Sequence, residues 1–111
     1  MSPGRLHVIT DITLQTRFSH GELAKLALAG GADIVQYREK SSQTTRVHLT
    51  HARELVAHAE QSPGRIIIND RADIAVGACA DGLHIGADDL EPIPARGLIG
   101  PDRILGATAN N

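Results

Sequence analysis

The chain has 111 residues, 41% of them hydrophobic and 22% charged, with a net charge of −2, a composition that suits one soluble globular domain. That near-neutral balance, with Phe18 and Tyr37 as the only aromatics, excludes a basic nucleic-acid surface and a base-stacking platform. No apolar run approaches the roughly 20 residues of a membrane span, the residues after Met1 lack the apolar core of a signal peptide, and Cys79 stands alone, so no disulfide framework exists. The expectation is a cytoplasmic, reducing home with neither nucleic acid nor membrane as partner.

Leu6-His7-Val8-Ile9-Thr10-Asp11 reads as a first strand, apolar and then polar at its end. Residues 12–18 read as a loop. Ser19 followed by Glu22 is a capping-box signature that opens a helix through Leu23, Leu26 and Ala27, stopped by Gly30-Gly31. The apolar run Ala32-Asp33-Ile34-Val35 begins a second strand that reaches about Arg38. The spacing of Val47, Ala52, Leu55, Val56 and Ala59 predicts a helix over about 44–60, broken by Ser62-Pro63-Gly64. Arg65-Ile66-Ile67-Ile68-Asn69 is a continuous apolar strand of the kind covered on both faces. A short helix over 71–79 places Ile74, Ala75 and Ala78 inward. Residues 81–86 form a short strand, a helical turn follows around Pro94 to Leu98, and residues 103–108 form a fifth strand.

This β-α alternation predicts an α/β domain with parallel strands and right-handed crossovers. Two architectures fit it: an open doubly wound sheet, or the first half of a (β/α)8 TIM barrel occupying residues 1–111. A complete barrel usually takes about 200 residues or more, roughly twice this chain.

In a parallel sheet the polar residues at strand ends share one rim. Here they are Asp11; Gln36, Arg38 and Lys40; Asn69, Asp70 and Arg71; His84, Asp88 and Asp89; and Thr108. Strand alternation sends Gln36, Arg38 and Lys40 to one side. One amide and two cations where a parallel strand ends suit a phosphate or diphosphate. Asp70 and Asp89 are candidate ligands for a hard cation such as Mg2+, which takes one or two carboxylates plus phosphate oxygens. Blander readings stand beside these: Asp70 as the N-cap of the following helix, Asp88-Asp89 as a turn before Pro92, Cys79 as a small core residue, and His48, His51 and His58 as an exposed helix face without a metal. No serine or cysteine sits with a base at nucleophile spacing, and no Gly-rich phosphate loop precedes a helix.

Four ordered segments carry a resemblance: 6–11, the run Gly31 to Lys40 ending Gln36-Tyr37-Arg38-Glu39-Lys40, Ile67-Ile68-Asn69-Asp70-Arg71, and Ala80-Asp81-Gly82-Leu83-His84-Ile85-Gly86. Together they resemble the thiamine phosphate synthase family and its relatives, the TenI-like thiazole tautomerases. The resemblance implies a TIM-barrel transferase that condenses an aminopyrimidine methyl pyrophosphate with a thiazole phosphate and releases pyrophosphate. It implies that Gln36, Arg38 and Lys40 hold the pyrimidine diphosphate, with Arg38 and Lys40 stabilising the leaving charge, that Asn69 orients the substrate, and that Asp70 and Asp89 hold Mg2+.

Two departures accompany it. The family's serine and histidine after the fifth strand are here Thr108 and Asn110. Thr108 keeps a hydroxyl for substrate binding, whereas Asn110 cannot do the acid–base work of a tautomerase. The later strands, lysine-bearing loop and thiazole phosphate site of a complete member are also missing. The alternatives are therefore a tautomerase and a noncatalytic half-barrel that binds a phosphorylated ligand or a partner chain. A lone half-barrel has unpaired edges and is expected to self-associate, or to need a C-terminal half.

Overall fold

The computed structural model describes residues 5–13, 15 and 17–108. Nine elements alternate along it: β1 (His7–Thr10), α1 (His20–Ala29), β2 (Ile34–Tyr37), α2 (Thr45–Ala59), β3 (Arg65–Asn69), α3 (Ala72–Gly77), β4 (Gly82–Ile85), α4 (Pro92–Ile99) and β5 (Ile104–Ala107).

The helix boundaries follow from local chemistry. Ser19 accepts from the Glu22 amide while the Glu22 carboxylate accepts from the Ser19 amide, so the capping box at α1 is complete. Past α1 the chain turns through Gly31, whose φ of 94° an L side chain rarely adopts. Thr44 caps α2 through its hydroxyl on the Val47 amide. The turn foreseen around Pro94 is an eight-residue helix, because Pro92 and Pro94 sit in its first turn, where a missing N–H costs nothing.

The five strands are all parallel and lie in sequence order, β1-β2-β3-β4-β5. A doubly wound sheet reverses its order at a switch point; this one does not. One cluster joins Ala24, Leu28, Ala52, Leu55, Ile74 and Ile99 from the helices to Val35, Tyr37, Ile66, Ile68, Leu83 and Ile85 from the strands. These strand residues share one parity, so all four helices cover the same face. That is the wall of a barrel under construction. The other face carries Ile34, Gln36, Ile67, Asn69 and His84, and toward the β1 edge Ile9 is 53% exposed.

Close backbone approach fixes the β4–β5 end of the sheet. A Cβ on Gly82 would lie 2.5 Å from the Ile104 carbonyl and 2.6 Å from Ile67 Cδ1. Only glycine fits there without moving β5.

Three of the bland readings fail. Cys79 is exposed, not in the core. It takes a left-handed φ of 56° just after α3, where the Ala80 amide bonds back to Ala75, and that turn aims its side chain outward. Asp70 is not the N-cap of α3: Arg71 occupies that position, without a side-chain cap, and Asp70 itself has φ 69°. His48 is not on an exposed face. It is 5% exposed, and its Nδ1 lies 2.9 Å from the Tyr37 hydroxyl, a partner that makes burial tolerable.

Candidate active site at the strand ends

The register of β2 and β3 sets the floor of the site. Gln36 and Asn69 stand on the helix-free face, and Asn69 Nδ2 donates to Gln36 Oε1 at 2.9 Å. Asn69 Oδ1 is buried and has no hydrogen-bond partner among the described residues. A buried acceptor left empty costs about 1–3 kcal/mol, so Asn69 Oδ1 has room for a donor that the described residues do not supply. Among the described residues each amide thus keeps one group without a partner: an acceptor on Asn69 and the Nε2 donors of Gln36.

Two ion pairs stand above that floor. Lys40 Nζ donates to Asp70 Oδ2, linking the segments after β2 and β3. Arg38 Nη1 donates to Asp11 Oδ2, linking β2 to the end of β1. Asp11 also takes the Thr13 hydroxyl at 2.6 Å and the Thr13 amide at 2.9 Å. The Thr13 bond, against the opposing effect of burial and with help from Arg38, holds the Asp11 carboxyl below its ordinary value. Both cations are more than a third exposed on their side chains, 37% for Arg38 and 43% for Lys40, so both remain accessible to an anion.

Asp70 is tied in by its backbone as well. Its amide donates to the His84 carbonyl at 2.8 Å, and its left-handed conformation costs on the order of 1 kcal/mol. Strain of that kind collects where geometry serves something other than stability.

The second group of rim residues lies over β4 and β5. Asp89 Oδ2 accepts from the Gly86 amide at 2.6 Å, folding the loop after β4. His84 Nε2 lies 2.9 Å from the Thr108 hydroxyl. The ring reaches it across Gly106, where a Cβ would come within 2.8 Å of His84 Nδ1. Asp89 and Thr108 line one hollow with Ile85, Gly86 and Ala107. Asp70 and Asp89 do not share a partner: the first is held by Lys40, the second by the Gly86 amide. Arg71 turns away from the rim to a bidentate pair with Asp73, 2.9 and 2.7 Å. Asn110 lies outside the described residues.

The carboxylates fit a hard cation by their chemistry. Asp70 already carries a cationic group, the Lys40 ammonium, which marks where positive charge is favoured. Each carboxylate has its Oδ1 uncommitted among the described hydrogen bonds. Strand-end position singled out these residues, with parity used only for Gln36, Arg38 and Lys40. It missed that Asp11 is the partner of Arg38, and it missed a buried group on the opposite parity, Glu39 with His20 and His51. The signal was present, because Glu39 alternates with Arg38 and Lys40 and so must face the helices.

Comparison with known proteins adds to this geometry. Residues 6–111 match the family described as thiamine monophosphate synthase. A thiamine-phosphate synthase of Salinibacter ruber is 43% identical over 109 residues, covering 98% of this chain and 48% of that protein. One from Solidesulfovibrio magneticus is 50% identical over 101 residues, 91% of this chain and 47% of that protein. Among solved structures, thiamine phosphate pyrophosphorylase from Pyrococcus furiosus superposes with a TM-score of 0.82 at 32% identity, covering 93% of this chain and 48% of that one. The chain spans about half the length of the curated relatives it matches.

Proposed function

Because the chain belongs to the thiamine monophosphate synthase family, we propose that it forms the pyrimidine diphosphate-binding half of a thiamine phosphate synthase. The transferase reaction joins an aminopyrimidine methyl pyrophosphate to a thiazole phosphate and releases pyrophosphate. The observation that carries this reading is the amide pair on the floor of the rim. An aminopyrimidine offers an amino donor beside a ring-nitrogen acceptor. Asn69 Oδ1 and Gln36 Nε2 offer the complement, and the first is buried without a partner among the described residues.

Arg38 and Lys40 bind the diphosphate above that floor and oppose the charge that gathers on it as the carbon–oxygen bond breaks. Asp11 orients the Arg38 fork. Thr108 lends a hydroxyl from the end of β5 to the phosphorylated substrates. Asp70 and Asp89 would hold Mg2+, which when bound neutralises diphosphate oxygens. The electron-rich aminopyrimidine can carry the cation left at its methylene, and the thiazole nitrogen closes the new carbon–nitrogen bond. No protein nucleophile is needed.

The test is pyrophosphate release from the two substrates, measured for the chain alone and for a barrel completed with the C-terminal half of the Salinibacter ruber relative. The completed barrel turns over, and Arg38→Ala or Asp70→Ala lowers its rate on the order of a hundredfold or more. A folded completed barrel without turnover would overturn the proposal. A second reading, a half-barrel that binds the diphosphate without turnover, is favoured by the fact that the amide floor and both ion pairs are complete within this chain. It gives Mg2+-dependent binding in the chain alone. Self-association along the open edges, where Ile9 lies exposed, belongs to that reading. Among the described residues no helix is long and apolar enough to cross a membrane.

A further inference from the structure

On the helix-covered side of β2, behind the rim, two imidazoles and a carboxylate meet. His20 opens α1, Glu39 follows β2, and His51 lies in α2. One ligand atom from each lies within 4.8 Å of the others. The His20 ring and the Glu39 carboxylate are almost sealed from solvent, 2% and 1% exposed on their side chains, and His20 Nε2 stands 3.0 Å from Glu39 Oε2. His51 is half-buried, and its ring centroid is 5.6 Å from that of His20.

We propose that His20, Glu39 and His51 form a binding site for a divalent first-row transition metal of the zinc type, separate from the hard-cation carboxylates of the rim. Two imidazoles with one carboxylate are a set that zinc, cobalt and their neighbours accept, and one that Mg2+ does not favour. The three ligands come from three different elements, so they are oriented by the fold and not by one flexible segment.

The supporting contacts are those a metal site needs. His20 Nδ1 is engaged at 2.7 Å by the buried Thr10 hydroxyl, which fixes the ring and turns Nε2 toward Glu39. Glu39 Oε1 accepts from the Ser41 amide at 3.1 Å. The Tyr37 hydroxyl stands 3.4 Å from His51 Nδ1. Glu39 has no Lys or Arg partner among the described residues. The Glu39 carboxylate is met by the His20 ring and the Ser41 amide, and a divalent ion would set a full charge opposite it. The partly open His51 provides the way in.

The site does not rest on the synthase reading, and its test needs no substrate. The purified full chain, freed of metal by chelation, is titrated with Zn2+ by calorimetry and with Co2+ by visible absorption. The expected result is one tight equivalent, Co2+ bands of a low-coordinate site, and a rise in melting temperature with Zn2+. His51→Ala and Glu39→Gln weaken Zn2+ by at least roughly tenfold. Asp70→Asn, on the rim, leaves it unchanged, and so does His58→Ala, which removes the exposed Glu54–His58 pair as an adventitious site. Because Glu39 is buried, its variant is checked for folding by circular dichroism. His51→Asn is the second, milder variant, and it too weakens Zn2+. Failure of the folded wild-type chain to bind Zn2+, or equal binding by the wild type and the folded His51 variants, would overturn the proposal.

Discussion

Asn69 donates to Gln36 across the β2–β3 boundary at 2.9 Å while its own side-chain carbonyl oxygen is buried with no partner among the described residues. A residue placed for stability would have both ends satisfied. Asn69→Ala therefore separates stability from binding. Denaturant unfolding of the free chain is expected to shift by less than about 1 kcal/mol, because removing the amide also removes the empty acceptor. Affinity for aminopyrimidine methyl pyrophosphate is expected to fall about tenfold or more, the loss of one well-placed hydrogen bond.

The Lys40–Asp70 pair gives a second separation. Both side chains are partly exposed, 43% and 21%, so the pair contributes at most about 1 kcal/mol to folding. The double variant Lys40→Asp with Asp70→Lys keeps an ion pair and is expected to fold like the parent. It reverses the positions of cation and anion on the rim, and diphosphate affinity should vanish. Calorimetry in which the swapped chain binds diphosphate as well as the parent would refute the roles given to both residues.

Stability should vary with pH in two steps. Burial first, then the Arg71 charge, depresses the His48 imidazole below its ordinary value of 6.5. The unfolded chain then binds more protons there, so this contribution is present above about pH 6.5 and fades as the pH falls below it. Asp33 is held low by the Leu6 and Arg5 amides, and Asp73 by Arg71. Their contributions are present above the ordinary carboxylate value and are lost as pH falls through the lower folded one. Melting temperature against pH should show a first decline below about pH 6.5 that His48→Gln removes, and a second decline in acid that it leaves in place.

Gly82 gives a purely structural prediction. Any Cβ there meets the Ile104 carbonyl and Ile67, so Gly82→Ala is expected to destabilise by about 1–3 kcal/mol. Loosened hydrogen-exchange protection should centre on β4 and β5 and spare α1.

Much of the fold was legible because its signals are local. The capping box at Ser19 and Glu22, the triple isoleucine of β3 and the β-α alternation each fix an element without help from the rest of the chain. Strand order was not legible, since both architectures share the same alternation. It took the observed β1-to-β5 sequence of pairing to choose the barrel. The rim followed from the polar residues at strand ends, but its pairings did not. Arg38 could have met any nearby acid, and only the parallel register of β1 and β2 brings it to Asp11. His48 and Cys79 were misread for a shared reason. Burial of a polar group depends on a distant partner, here Tyr37, and exposure of a small apolar one depends on a left-handed turn, and neither is written at the residue itself.

The most direct test of the central claim is calorimetric titration of aminopyrimidine methyl pyrophosphate into this chain, with and without Mg2+, beside the Arg38→Ala and Asn69→Ala variants. The account predicts saturable binding that strengthens with Mg2+ and weakens in both variants. Absence of binding in the folded chain, or binding indifferent to Mg2+ and to both substitutions, would contradict it.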